Sequence, residues 1–503
     1  MDPLSRRPRI RFVRRAAWAL FVLAIAGTVA WLVFASILMK RTATNRMTEA
    51  ERWRRTVRFD LSKEPVYPKY IDAFWLDRPD CGDCAQNWFE ADIEPVTGVV
   101  GQMKDRTPVE GSRPRQDWIV VALEARFPVD PEWQIGAWLV ADSAARLAVI
   151  RKVTPQSPFG MMPQRSFDAR TARFFDLPSH EEAAALSPDD AASKFSLEDP
   201  GFELLPYVGR LLWLEARHAA FAGDGARAVD NLQAIMEISD HALENGTAFA
   251  QAFASMFREW AWEEAHALVL AKPNAFDDVQ LARLRSVVIR AGDGPIEFDF
   301  AGERVGFEEV IDACYTYEVQ GDGQVDGVVV PRAIFSAFSA QGLGGDTEGR
   351  PEEIGAFLMA PVVWALMPTR RELIAAYDAA LAEIEAQLKL QPVDRPAFKR
   401  TRKSILDPVN SLLAFSTDGI RDWSTRIQRT TALRDSACIA IAAERFRRAE
   451  GRTAESIEEL VPTYLREVPI DLETGEPRTR LDGREEDAEA DPRKRSGARS
   501  TAR

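Results

Sequence analysis

Residues 16–39 form 24 consecutive positions without a charged side chain, and eleven of them are Leu, Ile, Val or Phe. Any fold must either bury this rod completely or place it in lipid. At about 0.3–0.6 kcal/mol of favourable insertion energy per such residue near a helix centre, the segment favours the bilayer by about 5 kcal/mol before polar corrections. As a helix it is about 36 Å long, enough to cross a hydrocarbon core of about 30 Å with some tilt. The apolar run continues through Trp31, Phe34 and Met39 directly into Lys40 and Arg41. A cleavable signal peptide would have a shorter apolar region ending at a small-x-small site, so the expectation is an uncleaved signal-anchor. Arg9 stands where a twin-arginine signal wants an apolar residue.

Arg6, Arg7, Arg9, Arg11, Arg14 and Arg15 precede the span, and a looser basic group from Lys40 to Arg58 follows it. The denser cluster predicts a cytoplasmic N-terminus and a body on the far side of the membrane. Charge then narrows the partners. Residues 1–58 hold 13 Lys and Arg against three acids, whereas the whole chain has 64 basic and 77 acidic residues and a net charge of −13. The body is therefore strongly acidic, which argues against nucleic acid and leaves the lipid bilayer and a protein as the expected partners. With only four cysteines in 503 residues, packing rather than disulfides must hold the fold.

The chain divides into a basic N-terminus (1–15), the transmembrane helix (16–39), a basic stalk (40–60), a loop-rich mixed or helical region (61–200), antiparallel helix hairpins (201–292), a helical C-terminal region (293–480) and a disordered charged tail (481–503). A short helix is expected near 84–93, and 118–123 fits strand or buried helix equally well. Pro131 opens an apolar pattern read as one helix to Ile150. Between 202 and 290 apolar residues recur at three and four, broken at Gly223-Asp224-Gly225, at Asn245-Gly246 and near Pro273. That gives four helices with short connections, hence antiparallel neighbours. The first pair resembles a tetratricopeptide-type hairpin through Ala216, Ala219, Ala220, Ala228 and Leu232, without a clean 34-residue period. Further helices are expected at 307–315, 370–390 and 437–449. The fold class is mainly α: one N-terminal transmembrane helix and a helix-hairpin, tetratricopeptide-like body.

Three groups of residues could carry chemistry. Cys81-Gly82-Asp83-Cys84 precedes an expected helix start, where N–H groups and the dipole stabilise a thiolate. The pair suits thiol exchange, but no strand-then-helix pattern surrounds it, and a small structural bridge or inert pair is preferred. Cys314 and Cys438 stand alone on apolar faces as core thiols. Glu318, Gln320, Asp322 and Asp326 match oxygen positions of a calcium loop with Gly323 between them, yet Val329 occupies the place of the bidentate Glu. A Gly-Asp-Gly turn ending a helix is the simpler reading. Glu215/His218 and Glu263/His266 repeat the Glu-x-x-His spacing of di-iron bundles, although the apolar stripes turn the histidines aside. No cofactor motif is present: Gly342-Leu343-Gly344-Gly345 lacks the Lys-Ser/Thr of a phosphate loop.

One stretch looks familiar. The Ala-rich run 437–451, then Ser456-Ile-Glu-Glu-Leu-Val-Pro-Thr-Tyr-Leu465, then Val468-Pro-Ile-Asp-Leu-Glu-Thr-Gly-Glu-Pro477, resembles an uncharacterised lineage of bacterial membrane-anchored helical proteins. Its Pro-x-Asp-x-x-x-Gly-x-Pro end is similar to the C-terminal turn of type II secretion pseudopilins. Residues 202–271 and 307–377 also resemble that lineage, which brings no activity with it. Leu472 replaces a proline of the pattern, and Arg478-Thr479-Arg480 replaces an apolar finish, which predicts a looser turn. The function expected is a membrane-tethered helical interaction or scaffold protein of the envelope. The alternative is an envelope enzyme using Cys81/Cys84 or the Glu-x-x-His helices.

Overall fold

A computed structural model describes residues 26–41, 63–75, 92–93, 113–130, 132–160, 179, 181, 201–244, 246–291, 300–319, 325–331, 351–388, 390, 423–472, 474–479 and 481. Apolar periodicity of 3.6 dominates the sequence, and the described residues are accordingly mainly helical. Helix α1 covers residues 26–39. It is followed by α2 (Tyr67–Trp75), α3 (Arg115–Glu124), α4 (Trp133–Asp142) and α5 (Ala144–Val153). Next come α6 (Gly201–Phe221), α7 (Gly225–Leu243), α8 (Ala248–Ala271) and α9 (Asp278–Val288). The chain continues with α10 (Ala301–Cys314), α11 (Pro351–Leu366), α12 (Arg370–Leu388) and α13 (Trp423–Glu450). Among the described residues strand is confined to two antiparallel ladders of two residues per strand, Asp92–Ile93 with Arg113–Pro114 and Glu318–Val319 with Val325–Asp326. Among the described residues no helix is long and apolar enough to cross a membrane; 26–39 is the described part of the uncharged segment.

The helices α6 to α9 begin and end where the punctuation expects. Gly223 closes α6 at φ +84°, a left-handed conformation open to glycine, and the Asp224 side chain caps α7 by accepting from Arg227 N at 3.0 Å. Gly225 is needed for a different reason: a Cβ there would stand 2.1 Å from the Ala275 carbonyl oxygen, so only hydrogen lets the 273–275 turn seat against α7. Thr247 caps α8 at 3.2 Å, and Asp277 with Gln280 forms a reciprocal capping box on α9.

Several expectations need correcting. Residues 92–93 are strand, not the end of a helix. The ambiguous run at 118–123 is helical within α3, and what read as one helix from 131 to 150 is two, broken at buried Ser143. The C-terminal helix starts at Trp423, fourteen residues before the apolar pattern announces it.

Packing does not follow the linear division of the chain. The largest core draws on α2 to α9 and also takes Ala437, Ala440 and Ile441 from α13. A second core joins α10 to α12 around Phe300, Phe307, Leu373, Tyr377 and Leu381. A third sits on the other side of α13, where Ile439, Ala442 and Phe446 meet Ile457, Leu460 and Leu465. Helix α13 is thus the wall shared by two cores. The C-terminal turn after it is firmly closed, contrary to the looseness expected: Asp471 N donates to Glu476 O at 2.8 Å, Gly475 N to Asp471 O at 2.8 Å and Arg478 N to Pro469 O at 2.9 Å. These are backbone bonds, so the missing proline removes none of them.

Candidate functional site

Burying a charge is tolerable only when it is paired, so the buried ionic groups show first where this protein has concentrated polar chemistry. Glu264 on α8 is buried and takes both prongs of Arg217 on α6, Nε to Oε1 at 2.9 Å and Nη2 to Oε2 at 2.6 Å. Trp213 Nε1 also donates to Glu264 Oε2. The remaining guanidinium nitrogen, Nη1, donates to the carbonyls of Leu123 at 3.0 Å and Ala125 at 2.6 Å, satisfying the end of α3. Arg217 thereby locks three helices together, with desolvation opposed by the Glu264 hydrogen bonds and by the charges of Glu264 and Glu263.

Glu215, two residues earlier, is equally buried and equally occupied. Oε2 accepts from Arg151 and Oε1 from Arg227, so its carboxylate ties α5 to α6 and α7. Its neighbour His218 packs its ring on Trp133 at 4.1 Å between centroids and lies against the Gly136 backbone, where an added Cβ would come within 2.6 Å of Nε2. Burial, helped by the Arg217 charge, pushes this imidazole down to about 4, so it is neutral at physiological pH. Glu263 and His266 lie half-buried on α8. The four Glu-x-x-His residues do not converge, and among the described residues no three His, Cys, Asp or Glu side chains come together that could hold a metal ion. The spacing places pairs on one helix face; what each face meets was invisible to it.

The calcium-loop match is described only at its two ends. An EF-hand loop lies between two helices, whereas here Glu318 and Asp326 are opposed residues of the antiparallel ladder Glu318–Val319 with Val325–Asp326, and α10 has already ended at Cys314. Asp326 Oδ1 accepts from Gly327 N at 2.8 Å and from Arg371 N at 3.3 Å, holding the start of α12. Gln320 and Asp322 fall outside the described residues, as do Cys81 and Cys84. Cys314 is a buried core thiol, pushed up to about 12 by burial.

Sequence reasoning missed a third polar cluster. His241 on α7 is buried, with Nε2 2.8 Å from the Gln156 carbonyl and Nδ1 3.1 Å from the Tyr70 hydroxyl. A carbonyl can only accept, so Nε2 carries the proton and the Tyr70 O–H donates to Nδ1. Phe159 stacks on the same ring at 5.5 Å, and Glu244 accepts from Phe159 N at 3.0 Å and Gly160 N at 3.1 Å. This cluster fastens α2, the next described helix after α1, to the C-terminal end of α7. His241, with Glu237, stands out in sequence only as lying on the helix between the two Glu-x-x-His pairs; no local motif joins it to Tyr70 and Gln156.

In comparison with known proteins, the chain matches no family model, no curated protein and no solved structure. Function must therefore be argued from its own surface. A shallow polar depression of about 620 Å³ is lined by residues of the 273–280 turn, including Asn274, Asp278 and Gln280, and by Arg447 and Arg448 at the end of α13. Arg448 spans it, donating to the Pro273 carbonyl at 2.7 Å and pairing with Asp278 at 3.3 Å.

The His241 cluster carries a pH prediction. Burial, the largest cause, holds its pKa at about 4 against an ordinary 6.5. Between those values the unfolded chain binds a proton that the folded chain refuses, so stability falls as pH drops below about 6.5. At pH 5 this one group accounts for about 2 kcal/mol. Denaturation midpoints of wild type and His241→Gln, measured at pH 7 and pH 5, should show a steeper acid loss in wild type by about that amount; equal slopes would refute it.

Proposed function

We propose that the protein is a membrane-tethered helical scaffold, anchored by residues 16–39 and presenting a body of tetratricopeptide-like helix hairpins to a protein partner in the bacterial envelope, with the N-terminus in the cytoplasm and the body in the periplasm. The observation that carries this reading is the 24-residue uncharged segment, of which residues 26–39 are helical with Val29, Trp31, Leu32, Val33, Phe34 and Ile37 exposed. A row of large apolar side chains facing outward, each about half exposed, is costly in water, at about 1 kcal/mol each, and favourable in lipid. The basic clusters on both sides of the segment support the anchor, and the Pro-x-Asp-x-x-x-Gly-x-Pro turn supports an envelope setting by its likeness to type II pseudopilins. The depression beside α9 and α13, open and lined by both signs of charge, suits a polar peptide segment of a partner.

Membrane fractions carrying the full chain test the tether. Alkaline carbonate should leave the protein in the pellet at full length, detergent should release it, and protease added to intact cells should reach the body only after the outer membrane is permeabilised. Intact chain recovered in the soluble fraction would overturn the proposal. For the partner, a photo-crosslinker placed at Asn274 or Gln280 in cells should yield one discrete adduct; its absence at both positions removes the depression from the proposal.

A further inference from the structure

Residues 354–367 are a second apolar run, fourteen positions long, preceded by Glu352 and Glu353 and followed by Pro368 and Thr369 and then by Arg370 and Arg371. Nothing in its sequence periodicity separates it from an ordinary core helix of that length. Its surroundings do. Helix α11, which contains most of the run, leaves Leu358, Met359, Trp364 and Leu366 exposed, at 37–46% of their surface. It also touches α1: Trp31 Nε1 donates to the Leu358 carbonyl at 3.1 Å, and Phe34 meets Trp364 edge-to-face at 5.4 Å. Ala35 and Leu38 on α1 and Ala360 on α11 are fully buried, while the large apolar side chains beside them remain uncovered. Small residues at such a seam let two helices approach closely in lipid.

The contact points fix a depth. Trp31 and Phe34 lie nine and six residues before Lys40, which is about 14 and 9 Å along a helix axis. Half of a hydrocarbon core is about 15 Å. If Lys40 and Arg41 mark the interface on the body side, a helix that touches α1 at Trp31 and Phe34 lies inside that leaflet. At about 1.5 Å per residue the fourteen-residue run reaches only about 21 Å, too short to cross, so it must enter and leave on one side. Trp364, in contact with the shallower Phe34, is the amphipathic ring type favoured near the boundary, and Arg370 and Arg371 follow it on that side.

We propose that residues 354–367 are a second membrane element, a non-spanning helix embedded in the body-side leaflet beside the anchor, with lipid acyl chains as the occupant of its exposed face. This rests on the anchor reading above. It makes the tether a two-helix wedge, which would hold α12 and the core it shares with α10 against the membrane surface.

The test uses the full-length wild-type protein reconstituted in phosphatidylcholine/phosphatidylglycerol vesicles containing a phospholipid with a diazirine in its acyl chain. After irradiation and digestion, adducts are mapped by mass spectrometry. Adducts in both 16–39 and 354–367 are expected, with those in 354–367 at least several-fold above the exposed α9 surface around Val279. Adducts in 16–39 with background levels in 354–367 overturn this inference and leave the anchor standing. Background levels in both segments overturn the anchor reading as well.

Discussion

Replacing Glu264 with alanine is expected to lower stability by about 3–5 kcal/mol, the cost of leaving a buried guanidinium without its counter-charge. Arg217 is 7% exposed and Glu264 2%, so water cannot take the carboxylate's place. The loss has two further parts. Trp213 loses the acceptor for its indole N–H, and Arg217, no longer held from the α8 side, loosens on the carbonyls of Leu123 and Ala125 that it caps. Glu264→Gln keeps the shape and one acceptor and should cost less than Glu264→Ala. The measurement is the shift in the denaturation midpoint followed by helical circular dichroism, at fixed detergent. A shift corresponding to less than 1 kcal/mol for the alanine variant would mean that the pair behaves as an exposed one.

Trp262→Ala is expected to be as severe, at about 3–5 kcal/mol, through a different term. Trp262 is fully buried in the largest core, and its Nε1 donates to the Val288 carbonyl at 3.0 Å across α8 and α9. Truncation opens a cavity the size of the ring and strands that carbonyl. Trp262→Phe separates the parts: it fills most of the volume and loses the hydrogen bond, so it should cost about 1–3 kcal/mol. Equal midpoints for the alanine and phenylalanine variants would show that the site collapses around the loss.

The two variants probe features of unequal visibility. Trp262 sits among Phe257, Ala261, Ala265 and Leu268, an apolar stripe that identifies α8 as a core helix from its spacing. Glu264 lies within that same stripe, three residues after Ala261, and a charged residue there is the one local sign that a buried partner must exist. Arg217 gives no comparable sign, because α6 is buried on most of its circumference and its neighbours in sequence are unremarkable. The first half of α13 was harder still. It buries Thr430, Thr431, Arg434, Asp435 and Ser436 rather than an apolar stripe, using contacts such as Thr430 Oγ1 to Glu259 Oε1 at 2.6 Å, so hydropathy starts the helix too late.

The amino-acid order alone determined the helical class, the four helices between 201 and 290 with their breaks, and the apolar rod near the N-terminus, because 3.6-residue periodicity, capping side chains, glycine turns and charge-free length are all local properties. Only the tertiary structure decided that Glu215 meets Arg151 and Arg227 rather than converging with His218, Glu263 and His266, that Glu318–Val319 pairs with Val325–Asp326, that α13 divides two cores and that α11 lies against α1. Each of these depends on which faces of distant segments meet, and burial, the quantity that sets the cost of a charge or an exposed ring, is fixed by those meetings and not by sequence spacing.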